Sequence, residues 1–132
     1  VFELKTFAPG QPIIAEGVHE AGLYILQSGA VEIWKNGLKL AEISEPGTFF
    51  GEIAAILNQP RSCTVKARSE CDILVLQETI DHIIEHNPRL ARRLLEAMAE
   101  RVVKATADLA ASQHTLIAFQ EGLIPSQKVG NS

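Results

Sequence analysis

Apolar and polar positions alternate with period two through the first half of the chain and switch to a helical period in the second. Val31, Ile33, Leu38 and Leu40 alternate with polar neighbours on either side of Asn36 and Gly37. Both of those residues tolerate positive φ, so the pattern predicts a hairpin closed by a two-residue turn. Ser28-Gly29 and Pro46-Gly47 are further turn dipeptides, and Pro9-Gly10 and Gly17 punctuate the start of the chain. Short strands at this rhythm predict a mainly β sandwich, roll or barrel. After Gly51 the run GEIAAILNQ is compact and apolar, reads as one or two helical turns, and is expected to end at Pro60. CTVKA and CDILVLQ return to strand character. From Thr79 the chain turns helical: TIDHIIEHN opens on a threonine suited to an N-cap and stops before Pro88, which suits the first turn of a second helix.

That second helix carries the most regular pattern of the sequence. Ala91, Leu95, Met98, Val102, Ala105, Leu109, Ser112, Leu116 and Phe119 recur at alternating spacings of four and three, and Ser112 alone among them is polar. A sustained period of 3.5 is the seam of a coiled coil. At 1.5 Å per residue such a helix reaches roughly 45 Å, too long to lie wholly on a small roll. The stripe either covers the roll or, in its distal half, forms a parallel dimer seam, and the dimer is the expectation. Gly122 and Pro125 are expected to end the helix before a loose tail.

With 132 residues the chain has the length of one domain, and 46% hydrophobic against 21% charged residues places it among globular proteins. A net charge of −4 argues against nucleic acid as a partner, since phosphate neutralisation needs clustered Lys and Arg. Cys63 and Cys71 form no CxxC pair, which suggests reduced thiols in a cytoplasmic chain and provides no metal spacing. There is no apolar run of membrane-spanning length and no signal-peptide pattern, so no membrane is expected as a partner of this piece. The first residue is Val, as in a fragment or a processed chain.

Candidate chemistry concentrates between residues 49 and 65, FFGEIAAILNQPRSCTV. Gly51 allows close backbone approach to a ligand, and the turn that follows offers amide N–H groups to a phosphate. Arg61 can fork onto an anion, and Ser62 adds a hydroxyl. Glu52 cannot welcome a phosphate but can accept from a sugar hydroxyl. The pair therefore suits a ligand with an anion at one end and a ribose hydroxyl at the other. On spacing alone an internal Glu52–Arg61 salt bridge is the better-favoured alternative.

The stretch FGEIAAILNQPRSCTV resembles the phosphate-binding cassette of cyclic nucleotide-binding domains, and GQPIIAEG, LYILQSGAVEI and EPGTFFGE resemble that family's glycine-marked β-roll. IIEHNPRLARRLLEAMAERV resembles its B and C helices, as in catabolite-activator-type regulators. The resemblance covers residues 7 to about 119. It implies a mainly β fold, a jelly-roll-like double-stranded β-helix of about eight strands with short helices and a long C-terminal helix. The implied organisation is a roll over 1–78 with the cassette at 49–65, the B and C helices over 79–120, and a tail over 121–132.

It further implies that Glu52 accepts from the ribose 2′-hydroxyl and Arg61 pairs with the cyclic phosphate. The amides of Gly51, Ile53, Ala54 and Cys63, with Ser62, would complete the cradle. Aligned through His86-Asn87-Pro88, Thr106 falls where activator-type relatives place a C-helix hydroxyl that contacts adenine. The ligand implied is cAMP, or cGMP; Ser62 stands where a threonine is often associated in the family with a cGMP preference, which tilts towards cAMP. The function implied is a regulatory ligand sensor without enzymatic activity. It would act as a homodimer through the C helix, with a hinge near His86 to Pro88. The alternative is a dimerisation module of the same fold with a vestigial or different ligand site.

Two features depart from the family pattern. Cys63 stands where alanine is usual, either as a packed inert thiol or as an oxidisable one, and the family's lead helix is missing before the first strand, as in an excised fragment. His82 and His86, four apart on one helix, could hold a metal. They lack a third ligand nearby in sequence, so solvated or packed histidines are the reading. Metal-dependent cupins share the β-roll, but their HxH…E…H ligand set is absent, and no Ser-His-Asp or paired-carboxylate pattern stands out. Trp34 and Tyr24 read as core or pocket wall. Arg89, Arg92, Arg93 and Arg101 are interleaved with Glu96 and Glu100 and read as a solvated helix face.

Overall fold

Antiparallel pairing with short turns builds the first two thirds of the chain. In the computed structural model residues 2–120 are described, with side chains through residue 112. Eight strands and three helices follow one another among them: β1 (Glu3–Phe7), β2 (Pro12–Ile14), β3 (Leu23–Ser28), β4 (Val31–Lys35), β5 (Leu38–Ile43), β6 (Phe49–Phe50), α1 (Glu52–Leu57), β7 (Thr64–Ala67), β8 (Cys71–Leu76), α2 (Ile80–His86) and α3 (Pro88–Gln120). The chain divides between Ala91 and Arg92 into two compact units.

The strands form two four-stranded sheets, in the orders β1-β8-β3-β6 and β2-β7-β4-β5. Period-two burial puts Tyr24 and Leu26 of β3, Cys71, Ile73 and Val75 of β8, and Val65 and Ala67 of β7 into one core with Ile14, Val31 and Phe50. Both sheets contribute to it, which is the jelly-roll-like β-roll expected from the turn rhythm.

The Asn36-Gly37 turn forms as predicted, with φ of 51° and 76°, and Lys35 pairs with Leu38. The burial of the hairpin differs from the expectation. Val31 is fully buried, yet Leu38 and Leu40 are exposed. A bulge between Ile33 and Trp34 pairs Ile33 with Ala41 and Trp34 with Lys39, leaving Leu40 as the extra residue on an edge strand. Charges guard that edge: Lys39 Nζ lies 2.8 Å from Glu32 Oε2, and Arg68 Nη1 donates to Glu42 Oε2 at 2.9 Å.

Helix α1 stops earlier than Pro60. Asn58 takes the left-handed conformation, φ 52° and ψ 52°, and its N–H caps the Ala54 carbonyl. In α2 the Thr79 hydroxyl accepts from the His82 amide, as the sequence predicts, and Pro88 opens α3 after the non-helical Asn87. Along α3, taken by itself, Leu95, Val102 and Leu109 of the apolar stripe are 70%, 64% and 59% exposed, while Ala91 and Met98 are half-buried. The side chains of Leu116 and Phe119, and the expected helix end at Gly122 and Pro125, lie outside the described residues. Among the described residues no helix is long and apolar enough to cross a membrane.

Candidate ligand-binding site

Two charged side chains are buried in the roll, Glu52 and Arg61, at 6% and 2% exposure. Burying a charge is costly unless partners replace water. Arg61 finds its partners in backbone: Nη1 donates to the Gly51 carbonyl at 2.6 Å and Nη2 to the Gly22 carbonyl at 3.0 Å. Its guanidinium carbon lies 5.4 Å from the centre of the Tyr24 ring, which itself stacks on Phe50. The main chain of Arg61 is held as firmly. Its N–H donates to the Val18 carbonyl and its carbonyl accepts from Gly17, each at 2.8 Å.

One donor of this arginine stays unmatched. Nε is buried and has no hydrogen-bond partner among the described residues. Its ion pair is with Glu20, whose Oε1 lies 3.9 Å away, beyond hydrogen-bond reach. The salt bridge with Glu52 that spacing alone favoured is not among the ion pairs of the described residues. Burial pushes the Tyr24 phenol above its ordinary pKa; the Glu20 carboxylate adds to the rise, and Arg61 opposes it.

Gly51 joins β6 to α1 with φ 74°. A Cβ here would come within 2.9 Å of Arg61 Nη1, 3.0 Å of Ile14 Cδ1 and 3.1 Å of Tyr24 Cδ1, so the position has neither the conformation nor the room for a side chain. Around it the cassette divides by exposure. Ala54 is buried, Ile53 and Ser62 are exposed, and Cys63 is half-buried. Lys35 Nζ donates to the Ser62 carbonyl at 2.8 Å and fixes the turn into β7. Seven of the eight expected site residues thus fall in one stretch beside a buried cation; Thr106 is exposed on α3, in the second unit.

The partners of Arg61 were not foreseen. Glu20, Gly22 and the 17–18 backbone come from the loop between β2 and β3, about forty residues upstream, where no local motif marks them. Glu20 and Tyr24 also line a cavity of about 500 Å³, with Phe7, Ile13, Val75 and Gln77 among its walls.

The turn from β6 into α1, on a two-sheet roll, thus carries a buried guanidinium with one unmatched donor. Residues 4–87 match the family described as cyclic nucleotide-binding domain, and the chain belongs to that family. The cAMP-dependent protein kinase regulatory subunit of Yarrowia lipolytica is 45% identical over 62 residues, which cover 47% of this chain and 16% of that protein. The potassium/sodium hyperpolarization-activated cyclic nucleotide-gated channel 2 of Mus musculus is 31% identical over 98 residues, 74% of this chain and 11% of the channel. The chain therefore spans only a small part of these curated relatives. The crystal structure of the Thermus thermophilus catabolite activator protein has the same fold, with a TM-score of 0.69 and 25% identity over 92% of this chain and 64% of that one.

Proposed function

We propose that the chain is a cytoplasmic sensor that binds cAMP in preference to cGMP and passes the event on through α3, without catalysing a reaction. The observation that carries this reading is Arg61, a buried cation with an unmatched Nε–H. An unsatisfied buried donor costs about 1–3 kcal/mol, more when charged. A phosphate oxygen arriving at Nε would satisfy it with a charge-assisted bond. In this reading Glu52 accepts from the ribose 2′-hydroxyl. The amides of Gly51, Ile53, Ala54 and Cys63 and the Ser62 hydroxyl complete the phosphate cradle, and Thr106 contacts the base. Ser62 in place of threonine, and a relative named for cAMP dependence, support cAMP. The break at Asn87 between α2 and α3 supplies a hinge, and the exposed stripe of α3 supplies a seam for a homodimer. Ligand binding then acts by population shift between two arrangements of the helices.

Isothermal titration of the folded protein with each nucleotide tests this. Binding of cAMP is expected to be tighter than binding of cGMP, and Arg61→Ala is expected to lower cAMP affinity at least about 30-fold, the cost of removing one member of a buried charge pair. A folded wild type that releases no heat with either nucleotide removes the sensor reading. Full affinity in Arg61→Ala removes the assigned site.

A further inference from the structure

Glu20 faces the buried guanidinium from the loop between β2 and β3. Its Oε1 lies 3.9 Å from Arg61 Nε, too far for a hydrogen bond, and its side chain is 45% exposed against 1% for that of Arg61. A carboxylate so placed has two uses: to hold the arginine in position, or to act as an internal anion at its unmatched donor. The geometry decides against the first. Nη1 and Nη2 already donate to the Gly51 and Gly22 carbonyls. A Cβ at Gly22, where φ is 146°, would come within 3.3 Å of Nη2, so the backbone itself closes on the guanidinium. Placement rests on two carbonyls, and Glu20 contributes charge without a bond. That charge stands beside Nε, the one donor left without a hydrogen bond. Glu20 also has somewhere to go. Lys5 of β1 lines the same cavity of about 500 Å³ and is in none of the ion pairs of the described residues.

We propose that Glu20 is an internal competitor for Arg61: an incoming phosphate displaces its carboxylate from Nε, and Lys5 receives it across the cavity. This rests on reading Arg61 as the partner of the phosphate. A pair with one exposed member and no hydrogen bond is weak, worth a factor of about five at most. Repulsion between a carboxylate and a phosphate left side by side adds to that factor. The competitor therefore lowers affinity without closing the site.

Calorimetric titration with cAMP tests the sign. Glu20→Gln is expected to tighten binding about three- to tenfold, whereas a carboxylate that positions the arginine would weaken it on removal. Lys5→Gln is expected to weaken binding about twofold or more in wild type and to have no effect in the Glu20→Gln background, because no carboxylate is then left to receive. Glu70→Gln, at the far end of β3 beside Gly29, controls for net charge and should leave affinity unchanged. Unchanged or weaker binding in Glu20→Gln, equal Lys5 effects in both backgrounds, or an equal gain in Glu70→Gln would each overturn the proposal. Failure of the nucleotide reading looks different: no heat with cAMP in wild type or in Glu20→Gln. Inorganic phosphate, followed by the nuclear magnetic resonance of the Arg61 Nε–H, then decides. A shift at several-fold lower phosphate in Glu20→Gln supports the competition, and a shift at equal phosphate, or none in either form, overturns it.

Discussion

At Gly51 the main chain and the buried arginine contend for the same few cubic ångströms. A side chain there must adopt a left-handed backbone, which costs about 1–2 kcal/mol for an L-residue, and its Cβ would stand only 2.9 Å from the guanidinium it must push aside. Gly51→Ala is therefore expected to lower the unfolding free energy in urea by at least that backbone cost and to weaken cAMP binding through displacement of Arg61. Retention of both stability and affinity would contradict the geometry. Residue types at that spacing left two uses of this neighbourhood open, a ligand with an anion and a ribose hydroxyl or an internal Glu52–Arg61 salt bridge, and that salt bridge is not among the ion pairs of the described residues. What surrounds the guanidinium was not readable. Gly22 is 39 residues from Arg61, and its carbonyl carries no side-chain signature; only folding brings the two to 3.0 Å.

At the scale of elements, α3 is the plainest case of a pattern without its partner. Leu95, Val102 and Leu109 keep the seam period and stand exposed along one chain. Burying a leucine or valine gains about 1.5–3 kcal/mol, so a second copy would gain on every turn of the seam. Replacing Leu95 and Val102 together by Asp is expected to turn a sedimenting dimer into a monomer while leaving the β-roll spectrum intact; a wild type that sediments as a monomer would remove the seam. Periodicity also announced the β4–β5 hairpin and the Thr79 cap correctly, because each rests on local chemistry. It failed for Leu40, because the bulge opposite is a property of two paired strands and not of either one. It failed again for the end of α1, where Asn58 adopts a left-handed cap before the proline is reached.

At the scale of the molecule, the two sheets bury titratable groups within one core. Burial raises the pKa of the Cys71 thiol, with Asp72 and Glu70 adding to it, and raises that of the Tyr24 phenol. Both groups are therefore held neutral in the fold, while the unfolded chain ionises at ordinary values, near about pH 8.5 and pH 10. The corresponding stability is complete below those values and is lost as pH rises through them. The urea midpoint is expected to fall between about pH 8.5 and 10.5, and Cys71→Ala should flatten the lower part of that fall; a midpoint constant across the range would refute it. The clasp between Arg61 and the β2–β3 loop has a consequence for design. Residues 17, 18, 20 and 22 set where the arginine stands without belonging to the cassette. That loop acts as a tuning screw: its length and the Glu20 carboxylate offer a way to adjust the grip on an anion while every group that would touch the anion is left unaltered.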